Sequence, residues 1–455
     1  LIMDQFLSDH GVTDTLDRLC EWFAHYQTKI TGVQPSISEF QSSYDHLIRQ
    51  FSEHRPDTLW YPYLGTGMGK GALVELADGS IKYDMISGIG AHFSHGHPDI
   101  VKSSVYSAFS NMIMQGNLQQ NCESQQLLVR LCEISEMDSG VLTTSGVMAV
   151  ENALKLIFQY QFPKSRLLAF EQCFAGRTLA VSQITDKAQY RDGLPDTLSV
   201  DYLPFYDETD PQGSIHRTVR YLNQYLDRYP GQYAAMVLEL IQGEGGYYPG
   251  SGDFFEAIIT VLKEHDILVL VDEIQSFGRT SSFFAYQMMG LSSLVDVVTV
   301  GKLTQVCATL FREKLTPRPG LISQTFTAST SSIYAAMIIL DQLEKKCLGS
   351  NGYTLKLRAQ FMTHFKKMEA EFGDHFSGPY GCGGMLAFTP FQGDRERVMA
   401  LLRRLFDQGV IGFLCGSSPV RVRFLPPLGG LTVSDVDQVM EVVKTVMRDL
   451  IKESQ

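Results

Sequence analysis

The chain has 455 residues, 44% of them hydrophobic and 19% charged, the make-up of a folded globular protein with room for a large cored domain and a smaller one. Its formal net charge of −12 argues against a nucleic-acid partner, because such a face needs clustered Lys and Arg; a small anionic ligand held by a few arginines stays compatible. The eight cysteines form no CxxC pair and no His/Cys grouping of zinc-site spacing, so they read as reduced thiols and no metal is expected.

No apolar run reaches the ~18–20 residues of a membrane-spanning helix, and the first residues lack the charged-then-apolar order of a secretory signal. The expectation is a cytoplasmic protein with no membrane partner. Residues 1–55 mix charged and apolar residues at helical spacing, as in Leu16, Leu19, Cys20 and Phe23, which predicts a helical N-terminal segment without a catalytic grouping. Next, Asp78-Gly79 between two short apolar runs predicts a hairpin over 72–85. It would belong to the N-terminal part, 56–110, of a small domain.

Gly65-Thr66-Gly67-Met68-Gly69-Lys70-Gly71 resembles a phosphate loop, but it lacks the GxxxxGK[ST] spacing and fails GxGxxG in every frame. A nucleotide fold therefore has no fingerprint here. Between about 135 and 335 short apolar runs alternate with helical stretches, which predicts a mostly parallel sheet covered by helices, in a large domain spanning 111–340. The remainder, 341–455, has helical patterns at 354–372, 395–408 and 433–451, separated by strand-like 384–388 and 420–424. It reads as an α+β domain, completed by the N-terminal part.

Three apolar strands of the large domain each end in a polar group. Residues 234–240 lead into Gln242-Gly243-Glu244-Gly245-Gly246, 267–271 end at Asp272-Glu273, and 295–300 end at Gly301-Lys302. Ligands of open α/β sheets bind beyond the carboxyl ends of the strands, so Glu244, Asp272 and Lys302 are candidates for one site. A lysine and a carboxylate held there suit pyridoxal phosphate (PLP), the lysine as Schiff-base partner and the aspartate as the group that keeps the pyridine nitrogen protonated. A strand-end salt bridge is the plainer alternative.

A strand over 141–144 runs through Ser145-Gly146 into a helical stretch that begins Val147-Met148-Ala149. Gly146 lets the backbone approach a ligand, and the free N–H groups of a helix start attract phosphate, with Ser145, Gly146 and Val147 as the contacts. A capped helix with no ligand has the same pattern.

Taken in order, Ser145-Gly146 with Ala149 to Lys155, Phe174-Ala175-Gly176-Arg177-Thr178, Ile241 to Gly246, Asp272-Glu273-Ile274-Gln275, Phe277-Gly278-Arg279-Thr280, Gly301-Lys302 and Arg423 to Leu428 resemble the class III aminotransferases over roughly residues 60–450. The resemblance implies an α/β chain of the PLP-dependent transferase fold type I, with a large, mostly parallel sheet domain and a smaller α+β domain built from both termini. It implies that Lys302 carries the cofactor and moves the proton, that Asp272 pairs with the pyridinium, that Gln275 meets the ring hydroxyl and that Phe174 stacks on the ring. Thr325 resembles the threonine that reaches the phosphate of a neighbouring subunit, which makes a homodimer the expected unit.

Arg177 and Arg423 are similar to the arginines that grip the two carboxylates of glutamate or 2-oxoglutarate. Glu244 is similar to a glutamate that pairs with the arginine at the Arg423 position while a distal amine is donated. The stretch from Gly301 to Cys307 is similar to the lysine loop of lysine 6-aminotransferases. The implied function is transfer of an amino group from an amino acid with a distal amine (lysine, ornithine, N-acetylornithine or 4-aminobutyrate) to 2-oxoglutarate, giving a semialdehyde and glutamate. A PLP-dependent aminomutase or decarboxylase on the same fold is the alternative.

Some positions depart from the family. The stretch from Asp272 to Phe277 is one residue shorter than usual, which predicts a different backbone path beyond Gln275. Ala175 replaces a common His, Met148 replaces a common Glu, and Thr327-Ala328-Ser329-Thr330-Ser331 stands where Gly-Gly-Asn-Pro is usual.

Overall fold

The computed structural model describes residues 1–110, 113, 114, 116 and 118–453, in two compact units: 1–110 with 351–380 and 384–455, and 111–350 with 381–383. The second unit is built on a seven-stranded sheet. Its strands are β1 (Ser139–Thr143), β2 (Arg166–Phe170), β3 (Ser199–Leu203), β4 (Tyr233–Leu238), β5 (Leu268–Asp272), β6 (Val297–Val300) and β7 (Cys307–Phe311), in the spatial order β1-β7-β6-β5-β4-β2-β3.

Every residue of β4, β5 and β6 is buried. That is why these strands read as continuous apolar runs: both sheet faces are covered by helices. The β6–β5–β4–β2–β3 pairs are parallel, whereas β7 runs antiparallel to both β6 and β1. The cause is the length of the β6–β7 connection, residues 301–306, since a parallel return needs a crossover of about a dozen residues or more. Lys302 lies on this short turn.

The helix Gly146–Gln161 follows β1 directly and buries Val150, Ala153, Leu154 and Ile157 in one cluster with Leu167, Leu270 and Val297. At roughly 1.5–3 kcal/mol for each fully buried large apolar side chain, this face holds the helix start rigidly against the carboxyl end of the sheet.

In the first unit, the helices Ile2–Ser8, His10–Gln27 and Ser38–Glu53 occupy the N-terminal segment. The hairpin Leu73–Leu76 with Ile81–Asp84 turns through Gly79 at φ 77°. The glycine-rich stretch is the edge strand Gly65–Lys70, paired antiparallel with Leu73–Leu76, so its glycines serve a sheet edge. A second sheet joins Phe376–Tyr380, Leu386–Pro390, Arg421–Phe424 and Phe413–Cys415, accompanied by the helices Tyr353–Phe372, Arg395–Asp407 and Val433–Glu453. Among the described residues no helix is long and apolar enough to cross a membrane.

Candidate active site

The carboxyl ends of β4, β5 and β6 border a cavity of about 320 Å³ in the second unit. At the end of β6, Gly301 packs so closely that a Cβ there would lie 2.9 Å from Cys307 Sγ and 3.3 Å from Ile274. Lys302 follows with φ 52°, a left-handed conformation uncommon for a residue with a side chain and of the kind that clusters at functional sites. This turn brings Lys302 to the cavity wall.

Asp272 ends β5 in the same wall. Its Oδ1 accepts the Ile274 N–H at 2.9 Å, and burial pushes its carboxyl up to about 6, against the opposing pull of that N–H and of Lys302. The adjacent Glu273 is fully buried. It accepts the Ser276 hydroxyl and, at 3.0 Å, the Tyr286 N–H, so it ties the loop instead of serving the cavity. The shortened stretch closes at once into a turn, with the Phe277 N–H on the Glu273 carbonyl at 2.9 Å, and Gln275 stays in the wall. Gln275 Oε1 is buried without a hydrogen-bond partner. Gly243 lies close beside it: a Cβ there would stand 2.4 Å from that oxygen and would push the Gln275 side chain aside.

One end of the cavity is formed by the helix start. Ser145 caps the helix Gly146–Gln161 by accepting the Met148 N–H, which leaves the N–H groups of Gly146 and Val147 outside the intrahelical ladder. Both residues line the cavity, and Gly146 again has no room for a side chain, with Ile274 2.8 Å from where a Cβ would stand. The first-turn N–H groups and the helix dipole together favour a phosphate there.

Phe174 and Arg177 enter from the loop after β2. Thr178 anchors that loop by donating to Glu151 on the helix. Glu244 lines the cavity from the loop between the short paired strands Ile241–Gln242 and Tyr248–Pro249.

One wall residue escaped the sequence reading. Glu239, just past β4, accepts the Phe174 N–H at 2.8 Å and the Gly243 N–H at 3.0 Å, one on each oxygen. Burial pushes its carboxyl up to about 8, and Asp272 and Glu244 push the same way. The signal was there: a carboxylate between Leu238 and Leu240 at the end of an apolar run.

Of the predicted residues, Gly146, Val147, Phe174, Arg177, Glu244, Asp272, Gln275 and Lys302 thus meet at one cavity, with Ser145 capping the helix beside it. Thr325 is exposed and does not line this cavity of its own chain. Arg423 belongs to the other unit, fully buried in the strand Arg421–Phe424, its guanidinium carbon 5.5 Å from the Phe413 ring centroid.

Residues 62–447 match the family described as Aminotransferase class-III. The chain is 27% identical over 379 residues to acetylornithine aminotransferase 1 of Bradyrhizobium diazoefficiens, covering 80% of this chain and 87% of that protein. It is also 27% identical over 381 residues to diaminobutyrate--2-oxoglutarate transaminase of Wolinella succinogenes, covering 79% and 86%. Among solved structures, an ornithine aminotransferase from Toxoplasma gondii, reported with partial occupancy of PLP at its active site, superposes with a TM-score of 0.77 at 19% identity, covering 90% of this chain and 95% of that one. A lysine aminotransferase from M. tuberculosis superposes with a TM-score of 0.78 at 20% identity, covering 89% and 99%. These superpositions establish the fold as that of PLP-dependent aminotransferases.

Proposed function

The chain belongs to the class-III aminotransferases, and on that premise we propose that it moves an amino group from an amino acid with a distal amine to 2-oxoglutarate, with Lys302 and Asp272 as the catalytic pair. It is a transaminase, and its cofactor is pyridoxal phosphate. When bound, PLP supplies an aldehyde that takes up the amine and a ring that accepts the electron pair left when a proton is removed from the substrate carbon.

The residues at the cavity fit that group. The helix start at Ser145, Gly146 and Val147 offers N–H donors to its phosphate. Asp272, whose carboxylate form is favoured by the Ile274 N–H and by Lys302, can hold a proton on the pyridine nitrogen. Gln275 has a buried oxygen free for the ring hydroxyl, and Phe174 offers an aromatic face. Lys302 is the residue that would hold the group covalently at its aldehyde and, once released by the incoming amine, would carry the proton away from the substrate carbon. Thr325, exposed on its own chain, suits the reach to a neighbouring subunit's phosphate, and a homodimer follows.

For the substrates, the guanidinium forks of Arg177 and Arg423 suit the two carboxylates of glutamate and 2-oxoglutarate. Glu244, at the same cavity as Arg177, is the carboxylate this reading assigns to the alternation between the two substrates. The relatives favour this class, since their names include acetylornithine, diaminobutyrate and 2-oxoglutarate.

The observation that carries the reading is the presence of Lys302 and Asp272 in one wall with Arg177 at the same cavity. A panel of lysine, ornithine, N-acetylornithine and 4-aminobutyrate with 2-oxoglutarate tests it, read as glutamate formed. One donor should yield glutamate in stoichiometric amount; turnover of an amine with no keto acid consumed points instead to an aminomutase or decarboxylase.

A further inference from the structure

Tyr190 closes the short turn Ala188–Tyr190 and has no place in the chemistry above. Its ring receives the Arg177 guanidinium, whose carbon lies 4.1 Å from the ring centroid. The same ring meets Phe174 edge-on, with centroids 6.5 Å apart and planes at 83°. Tyr190 therefore touches both side chains that the loop after β2 sends to the cavity.

The segment that carries Tyr190 is fastened to that loop. Thr185 Oγ1 accepts the N–H groups of Ala175 and Gly176 at 3.0 and 3.2 Å and donates to the Gly176 carbonyl at 2.8 Å. The Asp186 N–H reaches the Cys173 carbonyl at 3.0 Å, and its carboxylate accepts the Gln172 N–H at 2.7 Å. Five backbone-anchored hydrogen bonds thus lock residues 172–176 to 185–186, and none of them uses the Tyr190 side chain. Truncating that ring changes what faces Arg177 without untying the loop.

Arg177 itself is exposed, and a long, solvated side chain must give up rotamer freedom to bind a carboxylate. A ring face attracts a guanidinium through its quadrupole. Unlike a carboxylate partner, it leaves the positive charge unneutralised for a ligand.

We propose that Tyr190 is a positioning residue for substrate specificity: its ring holds Arg177 ready for the second carboxylate of a dicarboxylate substrate, and so raises the preference for glutamate over monocarboxylate amino acids. This rests on the reading of Arg177 as a carboxylate grip. Tyr190 touches no reacting atom, and its influence runs through Arg177.

The test uses the PLP-loaded enzyme and its half-reactions with glutamate and with alanine, the latter lacking the second carboxylate. Tyr190→Leu should raise the apparent Kd for glutamate roughly three- to tenfold, the range expected when one rotamer-rich side chain has to be ordered on binding, with the limiting rate and the alanine reaction unchanged. Tyr190→Phe keeps the ring and should behave as wild type. Arg177→Ala should weaken glutamate at least as much, and adding Tyr190→Leu to it should cost nothing more. If Arg177→Ala weakens glutamate but Tyr190→Leu does not, the proposal is overturned while the Arg177 reading stands. If Arg177→Ala leaves glutamate unaffected, the Arg177 reading falls and takes the proposal with it. Equal losses for glutamate and alanine, or reduced cofactor loading in Tyr190→Leu, would make Tyr190 a structural residue and also overturn it.

Discussion

Glu239 accepts the backbone N–H of Phe174 at 2.8 Å, so a carboxyl at the end of one strand fixes the loop that carries an aromatic residue to the cavity from beyond another. Its second oxygen holds Gly243, next to Glu244. Two of the cavity's loops are thereby tied to a single side chain.

This tie has a pH signature. Glu239 sits well above the ordinary carboxyl value of 4.5, at about 8. The folded chain therefore holds that proton more tightly than the unfolded chain does. The resulting stability is fully present below about 4.5 and is lost as pH rises to about 8. Asp272 and Glu273, raised to about 6 and about 7, act in the same direction. Glu239→Gln cannot ionise, so in cofactor-free protein its deficit relative to wild type should shrink by a few kcal/mol between pH 5 and pH 8. Urea midpoints across that range check it, and a pH-independent difference would count against a Glu239 that keeps its proton in the folded chain.

The second prediction concerns the lysine. Borohydride reduction of the PLP-loaded enzyme should fix the cofactor on Lys302, and peptide mapping should find it nowhere else. Lys302→Ala should retain the fold and lose turnover by several orders of magnitude, because no other amine replaces both the covalent partner and the proton carrier. A labelled peptide containing any other lysine contradicts the assignment.

Much of this site is legible in the sequence because strands buried on both faces appear as apolar runs, and a polar residue at their carboxyl end then stands out. Asp272 and Lys302 are of this kind. The direction of β7 is less visible, although the 301–306 connection is too short for a crossover. Glu239 carries the same signal, but Leu240 and Ile241 continue the apolar run past it and move the apparent strand end to Gln242, and only the fold reveals the two N–H groups it serves. Tyr190 hides for another reason: its turn is held by Thr185 and Asp186 through contacts to residues about ten positions earlier, which no local pattern encodes.

The third prediction is that Asp272→Asn folds and binds some PLP but loses most of its activity. A neutral amide cannot hold a proton on the pyridine nitrogen, so the ring accepts the substrate's electron pair poorly. Removing a buried charge of raised pKa should also leave the cofactor-free protein no less stable than wild type at pH 8. Thermal unfolding and steady-state rates measure the two effects separately, and near-normal turnover would remove Asp272 from its role.

The last prediction tests the alternation between two substrates through half-reactions measured by single-turnover mixing. If Glu244 occupies Arg423 while a distal amine is donated, Glu244→Ala should leave Arg423 available throughout and favour substrates that bring an α-carboxylate to it. Glutamate should then gain in rate relative to the distal-amine donor. Arg423→Ala should do the opposite, weakening glutamate and 2-oxoglutarate by about 2–5 kcal/mol, the usual cost of leaving a buried charged partner unpaired, and sparing the distal-amine half-reaction. Because Arg423 is fully buried, its removal could also disturb packing, which would slow both half-reactions together. Arg423→Lys separates the causes: it keeps the charge but loses the planar fork, so a carboxylate-binding role predicts a loss confined to glutamate and 2-oxoglutarate. Equal losses in both half-reactions for Glu244→Ala, Arg423→Ala and Arg423→Lys would mean that these residues are structural and that the enzyme tells its two substrates apart by other groups.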